Sequence, residues 1–124
     1  MDMTAEFYLS TVERVFKGGE IARNEFVVAG HKVDIGKITD VAVKTVEGAN
    51  DDISAPGQCI AALDLCTGLP EEKKASHVEP GAGHYGIFAG RSWRDNIRPL
   101  VIEFMNANAR TAKKPAANRA KAAS

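Results

Sequence analysis

Two residue types at one spacing open a chemical reading of this chain. Asp51 and His84 stand thirty-three residues apart, each just past a stretch that reads as a strand. A carboxylate bonded to an imidazole fixes its tautomer and stabilises its cationic form. The imidazole can then take a proton from a nucleophile and return it to a leaving group. Acid followed by histidine is half of a hydrolytic triad in the chain order of α/β-hydrolases. Asp52 is the alternative acid. The other half, a nucleophile, is harder to find. Ser10, Ser54, Ser76, Ser92 and Ser124 lack the flanking glycines of a strand–turn–helix elbow, and no Gly-x-Ser-x-Gly or Gly-x-Cys-x-Gly occurs.

The glycines near His84 (Gly81, Gly83, Gly86) allow a sharp backbone turn that exposes the ring. The remaining histidines read as structural: His31 as a solvated turn residue and His77 as a packed or edge residue of a strand. Cys59 and Cys66, seven apart on an expected helix, lie about 10 Å apart along its axis. That is too far for a disulfide, and two thiols alone do not make a zinc site. They read as small buried apolar residues, and the chain calls for no cofactor and no metal.

The elements that must position these residues follow from periodicity. Tyr8, Val12, Val15 and Phe16 mark one face of a helix over Thr4 to Phe16, with Thr4 as N-cap and Gly18-Gly19 as its stop. Phe26 to Ala29 is a short strand or a packed apolar segment, and Gly30-His31 a turn. The β-branched run in Ile38 to Val46 lacks clean alternation, which suits a parallel strand covered on both faces. Cys59, Ala62, Leu63 and Cys66 predict a helix over Gly57 to Thr67, ended by Gly68 and Pro70. A second strand is expected over Lys73 to Val78. Ser92 with Asp95 resembles a capping box. It opens a helix whose buried stripe is Trp93, Ile97, Leu100, Val101 and Phe104, bent near Pro99.

This order, strand–helix–strand–helix, predicts an α/β fold, the end of a wound sheet. Two strands are too few for a free-standing parallel sheet, so the expectation is the C-terminal part of something larger, spanning residues 1–107. Residues 108–124 form a basic, alanine-rich tail with Arg110, Lys113, Lys114, Arg119 and Lys121 and no acid. It cannot bury a core and is expected to be disordered. With 16 basic and 16 acidic residues the chain has no net field to draw nucleic acid or a membrane surface. No apolar run is long enough to span a bilayer. A cytoplasmic protein is the default expectation.

Longer stretches carry a resemblance. Val46-Glu47-Gly48-Ala49-Asn50-Asp51-Asp52-Ile53-Ser54-Ala55-Pro56-Gly57-Gln58 resembles the acid-bearing segment of intracellular polyhydroxyalkanoate (poly-3-hydroxybutyrate) depolymerases. So does Gly83-His84-Tyr85-Gly86-Ile87-Phe88-Ala89-Gly90-Arg91-Ser92-Trp93-Arg94 with Ile97, Pro99 and Phe104. Ala5-Glu6-Phe7-Tyr8-Leu9 and Leu65-Cys66-Thr67-Gly68-Leu69-Pro70 are similar to that family too, so the likeness spans about residues 4–106. It implies the C-terminal portion of an α/β-hydrolase that cleaves stored polyester, with Asp51 as triad acid and His84 as triad base. The implied partners are the polyhydroxyalkanoate polymer or 3-hydroxybutyrate oligomers, at storage granules in the cytoplasm. The family's nucleophile lies upstream of the matched segment, so an N-terminal half or self-association is expected to complete the molecule. The alternative is a non-catalytic module that binds granules or a partner protein.

Overall fold

The computed structural model of the chain describes residues 2–109. Helix α1 (Ala5–Thr11) starts where the Thr4 hydroxyl accepts the Phe7 N–H at 3.3 Å. It continues in wider π-type turns over Val12–Lys17 and stops at Gly18 and Gly19, the latter at φ 57°. The Arg14 guanidinium ties this end to the next segment. It pairs with Glu20 at 2.9 Å, donates to the Val27 carbonyl at 2.7 Å and lies 4.2 Å over the Phe26 ring. Strands β1 (Val27–Val28) and β2 (His31–Lys32) form a two-residue hairpin across Ala29 and Gly30, both at positive φ. His31 therefore sits in an exposed strand, one residue past the turn expected to hold it.

The functional half of the molecule is a parallel pair. Strands β3 (Val43–Gly48) and β4 (Lys74–Glu79) run in the register Val43↔Lys74 to Gly48↔Glu79. Both therefore end at one level, and the residues that follow them emerge side by side. Each strand has a single hydrogen-bonded neighbour among the described residues, so each keeps an unpaired edge. β3 begins five residues and ends two residues later than the expected Ile38 to Val46, and β4 is displaced by one residue from the expected Lys73 to Val78. The pairing continues past them, as Ala49 N–H donates to the Glu79 carbonyl at 3.0 Å and Asn50 N–H to that of Ala82 at 2.9 Å.

The connection between the strands carries helix α2 (Ala61–Leu65), shorter than the expected Gly57 to Thr67. Residues 57–60 form turns, where the Glu47 carboxylate accepts the backbone N–H groups of Gly57, Cys59 and Ile60. Cys59 consequently lies in a turn, and Cys66 caps α2; both are free thiols. After β4, π-type turns over Ser92–Ile97 lead into helix α3 (Arg98–Asn108). Ser92 is not the N-cap expected of it. The helix has already begun at Arg91, whose backbone is in the αR region (φ −69°, ψ −46°). Pro99 has no N–H to offer the preceding turn, and the wide turn directly before it absorbs that loss.

The core is thin: Leu63, Cys66, Leu69, Ala82 and Ile97 are buried, with Ile97 only 1% exposed. Trp93, Leu100, Val101 and Phe104 are half-buried on the same stripe. The apolar face of α1 and of the π-type turns that continue it is uncovered, with Tyr8 and Phe16 at 58% and 78% exposure. The mixed helical and parallel-strand arrangement is compatible with the α/β class read from the pattern. All but the first two residues of the expected 108–124 tail lie outside the described residues.

Candidate active site

Asp51 and His84 are brought together by the shared end level of β3 and β4. The turn after Gly48 folds back, with Asp51 N–H donating to the Gly48 carbonyl at 3.1 Å. A side chain at Gly48 would put a Cβ 2.5 Å from the Ala82 carbonyl oxygen, so glycine is what lets the two loops touch. The loop after β4 turns at Gly81, at φ 75°, and delivers His84 at the start of a short 3₁₀ turn, His84–Ile87.

The contact is Asp51 Oδ2 to His84 Nδ1 at 2.9 Å. Asp51 is 5% exposed, and its other oxygen, Oδ1, accepts the N–H groups of Ile53 at 2.9 Å and Ser54 at 2.8 Å. The carboxylate thus has one oxygen clamped and one free for the imidazole. Burial alone pushes the Asp51 carboxyl up. The hydrogen bonds from the Ser54 N–H, the His84 ring and the Ile53 N–H outweigh it and hold Asp51 below the usual carboxylate range. A carboxylate at Nδ1 selects the tautomer that carries its proton there, which leaves Nε2 as the nitrogen able to exchange protons. The edges of Tyr85 and Phe88 flank the ring at 5.3 and 6.4 Å between centroids. Asp52, the alternative acid, is exposed and outside this pair.

His84 and Asp51 open on a cavity of about 350 Å³. Its walls are apolar, from Val46, Ile87, Phe88, Trp93, Ile97 and Val101, with Ser54 and Cys59 beside the pair. Those two are the serine and cysteine side chains that line the cavity with the imidazole, and their Oγ and Sγ atoms lie 3.7 Å apart. Neither has the surroundings that acyl transfer needs. An oxyanion hole is built from free N–H groups, one of them following the nucleophile. The N–H groups of Cys59 and Ile60 are both bound to Glu47, whose negative charge would repel an oxyanion there. The Ser54 N–H is bound to Asp51.

Two buried acids escape the periodicity argument. Glu47, 3% exposed, accepts from Gly57 at 2.9 Å, Cys59 at 2.6 Å and Ile60 at 3.0 Å. The Gly57 N–H chiefly, with those of Ile60 and Cys59, holds its carboxyl low against burial and the charge of Asp51. Glu79, at the end of β4, accepts from Asn96 at 2.6 Å and bonds His77 Nε2 at 2.8 Å. The Asn96 amide, then the His77 ring, holds Glu79 low. His77 is therefore a partner of Glu79, half-buried in the strand. The available signal was a charged residue in the middle of an apolar run, Val46-Glu47-Gly48, since a charge placed in a covered strand demands partners.

Residues 1–109 match the family described as "PHB de-polymerase C-terminus". The chain belongs to that family. No curated protein and no solved structure shows significant similarity to it. The family match includes both strands, the Asp51 turn and the His84 loop, and stops within two residues of the end of α3. Among the described residues, no helix is long and apolar enough to cross a membrane, and no cluster of three or more His, Cys, Asp or Glu side chains could hold a metal ion.

Proposed function

We propose that this chain supplies the acid and the histidine of a hydrolytic triad for the cleavage of polyhydroxyalkanoate ester bonds, within an α/β-hydrolase fold completed from outside these 124 residues. The observation that carries the reading is the 2.9 Å contact between the buried Asp51 and His84 Nδ1 where two parallel strands end together, in a chain of this family. In that role His84 Nε2 takes the proton of an attacking serine or cysteine and passes it to the departing hydroxyl oxygen of the polyester. Asp51 stabilises the imidazolium formed between those steps. The attacking group and its oxyanion hole come from a strand–turn–helix elbow outside these residues. The unpaired strand edges and the cavity beside the pair are where the segment bearing it would pack. The site of action is the cytoplasm, at the surface of storage granules.

The test is ester release from amorphous poly-3-hydroxybutyrate granules, with intact mass measured after a fluorophosphonate probe. The chain alone is expected to give neither turnover nor adduct. Addition of an upstream family segment bearing the elbow is expected to restore both. Turnover with an adduct on the isolated chain would overturn the division of the triad.

A second reading, a non-catalytic granule-binding module, draws on the exposed apolar face of α1 and of the π-type turns that continue it, where Phe7, Tyr8, Leu9 and Phe16 meet no cover. Under that reading, granule pelleting depends on these residues and ignores His84→Ala.

A further inference from the structure

Glu47 is a buried carboxylate that pairs with no lysine or arginine among the described residues. Its charge is met by three backbone N–H groups, from Gly57, Cys59 and Ile60. Four residues on, Asp51 takes the N–H groups of Ile53 and Ser54 from the other end of the same loop. Two acids, one near the end of β3 and one just past it, therefore hold five amides of the 53–60 segment between them. The segment is otherwise irregular and largely exposed, and Gly57 within it stands at φ 103°. Two hydrogen bonds from Asp51 cannot by themselves order such a loop, because each ordered residue loses backbone freedom. The Glu47 end adds three bonds to the same segment whose Ile53 and Ser54 amides clamp Asp51 Oδ1. That clamp leaves Oδ2 aimed at His84 Nδ1.

From this geometry we infer that Glu47 is a positioning residue for the Asp51–His84 pair, acting through the 53–60 loop. The inference rests on the hydrolytic reading for its meaning and adds to it a third acid, one that borders the same cavity and bonds backbone amides, not the imidazole. It also explains why Cys59, though it lines the cavity, is not available as the nucleophile: its amide and the next are already committed to Glu47.

The experiment uses the full chain and reads the Nδ1–H proton of His84 by NMR, assigned by its absence in His84→Ala. In Glu47→Gln one acceptor oxygen becomes an amide donor facing N–H groups. The expected result is a folded chain in which the Nδ1–H exchanges with water at least tenfold faster. Leu69→Ala, a buried site outside the loop, serves as the control for simple destabilisation and is expected to leave that exchange unchanged at temperatures where it stays folded. Equal acceleration in both variants, or none in a folded Glu47→Gln, would overturn the role.

Where Glu47→Gln does not fold, hydrogen exchange on the unaltered chain decides. The amides of Ile53, Ser54, Gly57, Cys59 and Ile60 are expected to open together with the Nδ1–H. Opening of Gly57, Cys59 and Ile60 at least tenfold faster than Ile53, Ser54 and Nδ1–H would show that the Glu47 end does not govern the pair. These readouts need no turnover. A failed Glu47 role would leave His84-dependent ester cleavage intact, and a failed hydrolytic reading would leave the exchange pattern intact.

Discussion

The division of labour between the two oxygens of Asp51 decides what His84 can do. Oδ1 is held by the Ile53 and Ser54 amides and Oδ2 meets Nδ1, so the imidazole is fixed in the tautomer that presents Nε2. Asp51→Asn keeps the shape but can present an amide donor to Nδ1, which favours the wrong tautomer. In the completed enzyme, kcat is expected to fall on the order of 10⁴-fold with little change in KM. Steady-state kinetics on a soluble hydroxybutyrate oligomer would check it. A second expectation concerns pH. Asp51, Glu47 and Glu79 are all held below the usual carboxylate range in the folded chain. Folding therefore favours their ionised forms. Their contribution to stability is fully present above the unfolded carboxylate pKa, about 4, and is lost as pH falls through the lower folded values. Denaturant midpoints should be flat through neutrality on account of these groups and drop below about pH 4. Asp51 and His84 were visible in the sequence from their types and their places after strands. Glu47 and Glu79 were not, because periodicity sorts apolar from polar residues and says nothing of a polar side chain whose partners are backbone amides elsewhere.

At the level of elements, the pair exists because β3 and β4 end level and Gly48 lets their loops touch. Gly48→Ala would force a Cβ against the Ala82 carbonyl, a backbone atom with little room to yield. The variant is expected to melt well below the parent in circular dichroism and to lose the His84 Nδ1–H signal even where it remains folded. Ile97, the most buried side chain, joins the turns before α3 to the sheet and the cavity wall. Ile97→Ala is expected to destabilise by about 2–4 kcal/mol in urea titration. The strands and α3 were legible from β-branched runs and from the stripe through Trp93, Ile97 and Val101. The long helix expected over Gly57 to Thr67 is realised only over Ala61–Leu65; before it the chain forms turns whose N–H groups end on the Glu47 carboxylate, which satisfies donors that a helix start leaves without a partner. Ser92 failed as a cap because the backbone is already helical one residue before it.

Over the whole molecule, two parallel strands, a thin core and an uncovered apolar helix face describe a chain that buries little of what it carries. Exposed apolar surface of this kind marks an interface. Sedimentation of the isolated chain is expected to show concentration-dependent association that weakens in Phe16→Glu, and unchanged association in that variant would remove α1 and the turns that continue it from the interface. The sequence pattern carried the strand order and the family, but not which surface is left open, because exposure depends on what packs against each face. The most direct measurement of the central claim is ester release by this chain mixed with an upstream elbow-bearing segment, run beside His84→Ala. Turnover that appears only in the mixture and vanishes with His84→Ala is the predicted result. Turnover by the chain alone, or turnover in the mixture that survives His84→Ala, would contradict the assignment of Asp51 and His84 as half of a divided triad.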